Sequence, residues 1–346
     1  AFLSQYIGNT TKLRTLEYLE SAVYNLMELT RAGKLEAVAV DMHPSFNTSV
    51  LGVELSKKFG VPLIKCQHHF AHAASLAAES GVEKMVCIAA DGVGYGNDGT
   101  IWGGEIVAVD DGFERTGSLM PQLMPGGDLA ARFPARMAMG ILARKYNQCE
   151  LQEIFAPYFE KNELNIVLRQ IETKFNSPLT SSAGRILDAV AALLGVCTER
   201  TYEGEPAMKL EAFAMKGRDT VDIPVFIEKI DGRYMLDTTG IIEAVYLAKD
   251  EHALPDIAAS AQCTIGRGLC SMAINAARDK KIDVIGFSGG VAYNTAIIGA
   301  AMNLAQEEGF EFVAHTKVPC GDGGISLGQA MMGAMELEKG GGNCLP

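Results

Sequence analysis

Val61-Pro62-Leu63-Ile64-Lys65-Cys66-Gln67-His68-His69-Phe70-Ala71-His72 joins two structural signals. Residues 61–65 form a short apolar run that reads as a buried strand, and the alanine-rich stretch from His68 onward reads as a helix. Three of the chain's six histidines fall within five positions. If His68 opens the helix, His72 stands four residues on, on the same face, with about 5–6 Å between Cβ atoms. Two imidazoles so arranged at a strand end can share one divalent cation. The competing reading is one histidine that caps the helix and others that pack. His69 points about 100° away from His68 and is expected to pack or to touch substrate.

The same alternation extends outward. Residues 2–7 read as a short strand, residues 11–31 as an amphipathic helix, and residues 36–41 as a buried strand ending in Asp41-Met42-His43. Asn47 is a good N-cap for the next helix. Strand–helix alternation implies a mostly parallel sheet with helices on its faces, and in such sheets sites gather at the carboxyl ends of strands. Residues 85–91 form a further buried strand, running into Asp91-Gly92-Val93-Gly94-Tyr95-Gly96. Residues 101–109 and 114–120 alternate like antiparallel strands. A carboxylate before a glycine-rich turn suits a phosphate or metal–nucleotide site, because glycine lets backbone N–H groups approach anionic oxygens; a plain hairpin reads the same way.

After the turn Pro125-Gly126-Gly127-Asp128, residues 126–180 read as a helical insertion between a first α/β lobe (1–125) and a second (181–346). Residues 221–227 and 234–236 suggest a hairpin, and helices are expected at 240–248 and 257–280. The second lobe has a strand at 284–287 that runs into Ser288-Gly289-Gly290-Val291. A second glycine-rich junction, Cys320-Gly321-Asp322-Gly323-Gly324, opens the last helix. Glycine-rich turns at helix N-termini are natural anion sites. The end, Gly340-Gly341-Gly342, has the composition of a flexible tail.

The formal charge of −12 argues against a strong surface for nucleic acid or anionic membrane. Eight cysteines without a CxxC pair indicate neither a zinc ribbon nor a disulfide framework, so a reduced, cytoplasmic setting is expected. No signal peptide or membrane-spanning run is read. The start at Ala1 leads to the expectation of a piece of a longer protein.

These motifs, taken in order, resemble the hydrogenase-maturation carbamoyltransferase (HypF) family. The segments are Gln67 to His72, Asp91 to Gly96 with Asp98 to Glu105, Pro125 to Asp128, Ser182 to Asp188, Tyr202-Glu203-Gly204, Ser288 to Val291 with Asn294, and Asp322-Gly323-Gly324 with Leu327-Gly328-Gln329. The match is to the family's C-terminal transferase domain, related to the tRNA threonylcarbamoyl transferases. It implies an α/β, two-lobed actin/sugar-kinase/Hsp70-like (ASKHA) fold, with the family's first hairpin missing here.

The resemblance implies carbamoyl transfer from carbamoyl-adenylate, with AMP as product, to the C-terminal cysteine of a hydrogenase-maturation partner protein, on the way to the cyanide ligands of [NiFe]-hydrogenase. A carbamoyl-adenylating domain or protein would make that intermediate from carbamoyl phosphate and ATP. His68, His72, Asp91 and Asp322 match the catalytic metal site, and iron, zinc or magnesium would all suit such ligands. Gly289, Gly290 and Asn294 match the adenosine-side loop, and Asp188, Glu203 and Gly204 match positions near the ribose. Gly92, Gly94 and Gly127 are expected in the nucleotide-binding turns.

Two departures stand out. The hairpin expected to carry a glycine and a lysine near the phosphates precedes Phe2, and Cys320-Gly321 replaces the usual asparagine before Asp322. Other readings of the same motifs are a small-molecule O-carbamoyltransferase and a non-catalytic ATP-binding module. A zinc peptidase of the His-Glu-xx-His kind is disfavoured, because His69, Phe70 and Ala71 supply no glutamate.

Overall fold

A computed structural model describes residues 1–339; the expected flexible tail, Gly340 to Pro346, lies outside the described residues. The chain begins with α1 (Leu13–Leu29), β1 (Val38–Asp41), α2 (Asn47–Phe59), β2 (Leu63–Cys66) and α3 (His68–Ser80). A meander of β3 (Met85–Tyr95), β4 (Ile101–Val109) and β5 (Phe113–Leu119) follows. Next come β6 (Gln122–Leu123), α4 (Asp128–Arg132), α5 (Pro134–Leu142), α6 (Gln148–Phe155), α7 (Lys161–Thr173) and β7 (Leu179–Thr180). Then follow α8 (Ala183–Leu193), α9 (Glu205–Ala214), the hairpin β8 (Ile227–Ile230) and β9 (Arg233–Leu236), α10 (Thr238–Ala248) and the long α11 (Leu254–Lys280). The chain closes with β10 (Val284–Ser288), α12 (Thr295–Glu307), β11 (Glu311–Ala314), a short 3₁₀ turn (Asp322–Gly324) and α13 (Ile325–Glu338).

β1 and β2 form a small parallel sheet of their own. The other strands make a nine-stranded mixed sheet, with β11-β10-β3 parallel and β3-β4-β5 antiparallel. The sheet is mixed and not mostly parallel; residues 101–109 and 114–120 pair antiparallel as their alternation predicts, because the tight β3–β4 and β4–β5 connections are too short for crossovers. The residues expected as a first lobe therefore contribute to both sheets, because β3 pairs with β10 from beyond residue 181. The expected insertion is helical, with α4–α7 spanning residues 128–173. Its Met137, Met139, Ile141, Phe155 and Leu164 share one apolar core with α8, α11 and the strands β3 and β10.

Two expected strand segments do not form. Residues 2–7 are largely exposed and find no ladder partner, so β-propensity alone leaves them irregular. The segment 221–226 stays out of the ladder, which starts at Ile227; at its start Thr220 and Val221 donate their backbone N–H groups to the Ser260 hydroxyl on α11 instead.

Local chemistry fixes the histidine helix. The Gln67 side chain accepts from the Phe70 N–H at 2.9 Å and caps α3, while Gly81, at φ 72°, ends it. Its alanines at 71, 73, 74 and 77 are buried and small enough for close packing.

Candidate metal centre

Parallel register brings five chemically active strand ends to one edge. Asp41 pairs with Cys66, so the end of β1 lies beside the first turn of α3. Ser288 pairs with Ala89 across β10 and β3, and Phe287 with Ala314 across β10 and β11. The positions just beyond are Asp91, Gly289-Gly290 and His315. A bulge in β3 between Ala90 and Gly94 turns Asp91 out of the β4 ladder.

At this edge His68, His72, Asp91 and Asp322 each present one ligating atom, all within 4.8 Å of one another. His72 Nε2 stands 3.1 Å and His68 Nε2 3.4 Å from Asp91 Oδ2. Both Nε2 atoms lie 3.6 Å from Asp322 Oδ1. Four donors about 2.0–2.2 Å from one tetrahedral ion stand about 3.3–3.6 Å apart, so the residues fit a divalent cation in spacing as well as chemistry. Among the described residues no other cluster of three or more His, Cys, Asp or Glu donors forms, and Cys320 is not part of this one.

The cluster is electrostatically hungry for positive charge. Burial opposes ionisation of Asp91, yet the hydrogen bonds from His68 and then His72 hold it well below the ordinary carboxylate range. Burial likewise opposes a proton on His68, but Asp41 and then Asp91 lift its proton affinity to about 10.

His69 stays outside the set. Its ring is wholly buried beside Trp102, and a side chain on Gly94 would meet His69 Cε1 at 2.4 Å. Gly94 thus permits a close approach of β3 to the histidine helix. Gly92 is pinned against α8: Ser182 Oγ donates to the Gly92 carbonyl at 2.5 Å, and a Cβ on Gly184 would meet Gly92 Cα at 2.9 Å. Gly289, at φ 100°, passes so close to β3 that a Cβ would lie 2.2 Å from the Ala90 carbonyl oxygen, and a Cβ on Gly290 would lie 2.8 Å from Asp91 Oδ1. Asn294 is committed locally, accepting from Ile297 N–H to cap α12 and donating to Gln262. Gly204 starts α9 in the left-handed region at φ 75°, with Glu203 exposed before it. Gly127, at φ 58°, opens α4 against Asn176, and none of its close contacts reaches the cluster.

Asp188, on α8, is a buried carboxylate without a directed hydrogen bond at Oδ2. Arg185 Nη2 comes within 2.9 Å but off the hydrogen-bonding line, so it supplies charge without satisfying the lone pair. Burial pushes the carboxyl up to about 6, against the pull of Arg185 and Arg200. The folded chain therefore holds this proton to higher pH than the unfolded chain, whose carboxyl titrates near 3.8. Stability from this group is present below about pH 4 and falls, by roughly 3 kcal/mol, as pH rises to about 6. Asp188→Asn is expected to flatten the melting temperature between pH 4 and 7. An unchanged slope in that variant would show that Asp188 does not carry the effect.

The sequence reading missed several partners. Asp41 Oδ2 lies 3.2 Å from His68 Nδ1, the nitrogen turned away from the cluster. Its position at a buried strand end was the available signal. Arg115 lies over the Trp102 ring at 3.9 Å and binds Glu105 and Asp98, which braces the glycine-rich hairpin.

This fold and site define a two-lobed α/β chain of the ASKHA class, with histidines and aspartates converging at strand ends. Residues 87–329 match the family model described as "Carbamoyltransferase, Kae1-like Domain, second subdomain", and residues 1–79 match the "HypF Kae1-like domain". The chain belongs to the HypF family. It is 43% identical over 336 residues to a probable carbamoyltransferase HypF of Methanocaldococcus jannaschii, covering 95% of this chain and 43% of the relative. The crystal structure of T. kodakarensis HypF superposes with a TM-score of 0.89 at 37% identity, over 97% of this chain and 45% of that one. A full-length HypF in a phosphate- and nucleotide-bound form gives 0.88 at 34% identity, over 97% and 44%. The chain spans less than half the length of these relatives. No described helix is long and apolar enough to cross a membrane.

Proposed function

We propose that this chain catalyses the transfer of a carbamoyl group from carbamoyl-adenylate to a cysteine thiol at the C-terminus of a partner protein. The observation that carries the reading is the convergence of His68, His72, Asp91 and Asp322 at glycine-flanked strand ends. The donors are two buried imidazoles, a mostly buried carboxylate and the exposed Asp322, so the cluster opens toward solvent on the Asp322 side. His68, His72, Asp91 and Asp322 would hold a divalent ion. Such an ion would offset phosphate charge and polarise the carbamoyl carbonyl.

The chain's other residues suit positioning of a nucleotide. The Gly289-Gly290 turn leaves room beside Asp91 where a side chain would clash. Asp188, whose buried Oδ2 lies against Arg185 without a directed hydrogen bond, would accept from a ribose hydroxyl brought within reach. The nucleotide in a HypF structure of the same fold supports ATP or its adenylate as the ligand class. An adenylate is already activated, so the protein's task is to align it and stabilise charge as AMP leaves. Asp41, which faces the outer nitrogen of His68, would keep that imidazole's inner nitrogen directed at the cluster. No protein nucleophile is needed, because the incoming thiolate supplies it.

The test is to give the purified chain carbamoyl-adenylate with a peptide ending in cysteine, and to follow the peptide's mass. S-carbamoylation of the terminal cysteine is the expected result. Transfer only to sugar hydroxyls would replace this reading with a small-molecule carbamoyltransferase. Nucleotide binding without transfer to either acceptor would leave a binding module.

A further inference from the structure

We infer that Ser288, His315 and Glu79 form a directional hydrogen-bond chain that fixes the His72 imidazole with its Nε2 toward the metal site. The inference rests on the metal-centre reading proposed above. Ser288 ends β10 and is fully buried; its Oγ lies 2.9 Å from His315 Nε2 and 3.5 Å from His72 Nδ1. His315 follows β11, and its Nδ1 lies 2.7 Å from Glu79 Oε2. Glu79 sits near the end of α3, the helix whose first turns carry His68 and His72.

Donor and acceptor counting gives the chain one direction. The Glu79 carboxylate only accepts; it already takes the backbone N–H groups of Thr316 and Lys317 at 2.7 Å and that of Val318 at 3.2 Å. His315 must therefore carry its proton on Nδ1. Burial disfavours a second proton on this ring, despite Glu79, so Nε2 is left as an acceptor. Of the two acceptors within reach of the Ser288 O–H, His315 Nε2 at 2.9 Å is nearer than the Cys320 carbonyl at 3.3 Å and takes its proton, and a Ser288 lone pair receives the Nδ1–H of His72. With Nδ1–H held outward, the nitrogen that His72 would present to a metal is Nε2, which faces Asp91 and Asp322. Asp41 does the same for His68 through its Nδ1, so each imidazole has its own outer partner, a carboxylate for one and a relayed carboxylate for the other.

Glu79 has a second positioning effect. By accepting from residues 316–318 it ties the end of α3 to the segment that leads to Asp322. One carboxylate thus helps to orient His72 and to seat the loop of the donor opposite it.

The experiment uses the full chain, loaded with Zn²⁺ against a competing chelator, beside its Ser288→Ala and His315→Ala variants, with ¹⁵N NMR of the histidine rings. Each variant is expected to weaken Zn²⁺ binding about 10- to 100-fold, the usual effect of losing an outer partner of a ligating histidine. The double variant is expected to be no weaker than the weaker-binding single, because both substitutions break one chain. In the wild type, His315 is expected to be neutral with its proton on Nδ1. His315→Gln, which keeps a polar side chain, covers the case in which alanine unfolds the chain. Zn²⁺ affinity within twofold of wild type in both Ser288→Ala and His315→Gln would overturn the inference, as would a His315 proton on Nε2. A wild-type chain that takes up no Zn²⁺ would instead sink the metal reading, and the His315 proton would still decide the hydrogen-bond chain.

Discussion

His72→Ala is expected to abolish stoichiometric metal retention and to lower carbamoyl transfer by more than a hundredfold. Losing an outer partner of a ligating histidine already costs about 10- to 100-fold in affinity or activity, so losing the ligand itself exceeds that range. His72 is the more buried of the paired imidazoles, and its Nε2 makes the shortest contact to Asp91, at 3.1 Å. Without it, the remaining donors are His68, Asp91 and the exposed Asp322, and a water must replace a fixed nitrogen.

The informative comparison is His69→Ala. His69 is as buried as His72 and its ring packs edge-on against His68, at 5.2 Å between centroids, and beside Trp102, but it gives no ligating atom to the cluster. Its loss opens a cavity and is expected to lower the melting temperature while metal stays bound. Metal analysis of the purified variants separates the two effects. Stoichiometric metal in both His68→Ala and His72→Ala would refute the assignment of this site.

What the sequence made legible follows from what is local. The pairing of His68 with His72 is a helical-spacing argument, and the structure sets both Nε2 atoms against Asp91. Asp91 and Asp322 were visible as carboxylates in glycine-rich junctions. The outer partners were not, because their meeting depends on the register of strands far apart in the chain. Ser288 meets His72 across 216 positions, and Glu79 meets His315 across 236. Nothing in a single sequence states that β10 lies between β3 and β11.

The same limit explains the misplaced strands. Residues 2–7 and 221–226 have strand-like composition, but a strand needs a neighbour; the first segment has none, and the second begins with Val221 giving its N–H to Ser260. Glycine was the least decipherable residue. Gly94, Gly127 and Gly289 look alike in the sequence. Gly94 admits a histidine ring, Gly127 turns into α4, and Gly289 slides past a strand carbonyl.

Gly328→Ala is expected to be among the most damaging single-methyl additions in the molecule. α13 crosses α3 at this position, and a Cβ on Gly328 would lie 1.8 Å from the Ala71 carbonyl oxygen and 2.8 Å from the Ser75 N–H nitrogen. Both atoms belong to helix backbone, which cannot turn aside as a side chain would. α13 must instead retreat by about 1–2 Å to restore ordinary contact distances. Such overpacking costs about 3 kcal/mol or more, and a drop of several degrees in melting temperature follows.

The damage should extend to metal binding, because the 3₁₀ turn that carries Asp322 runs directly into α13 and is tied to α3 through the Ser75 hydroxyl and the Gly324 carbonyl. Gly333→Ala tests whether the effect comes from the crossing and not from altered helix propensity. On the same helix, a Cβ there would meet Ala39 Cβ at 3.6 Å and Ile64 Cδ1 at 3.8 Å, which is ordinary packing. Replacing a mid-helix glycine with alanine then gains about 0.5–1 kcal/mol. The two variants should therefore diverge: Gly328→Ala less stable than wild type and metal-poor, Gly333→Ala at least as stable as wild type with its metal intact. A Gly328→Ala chain that melts with wild type and keeps its metal would mean that α13 is not seated on the histidine helix through this contact.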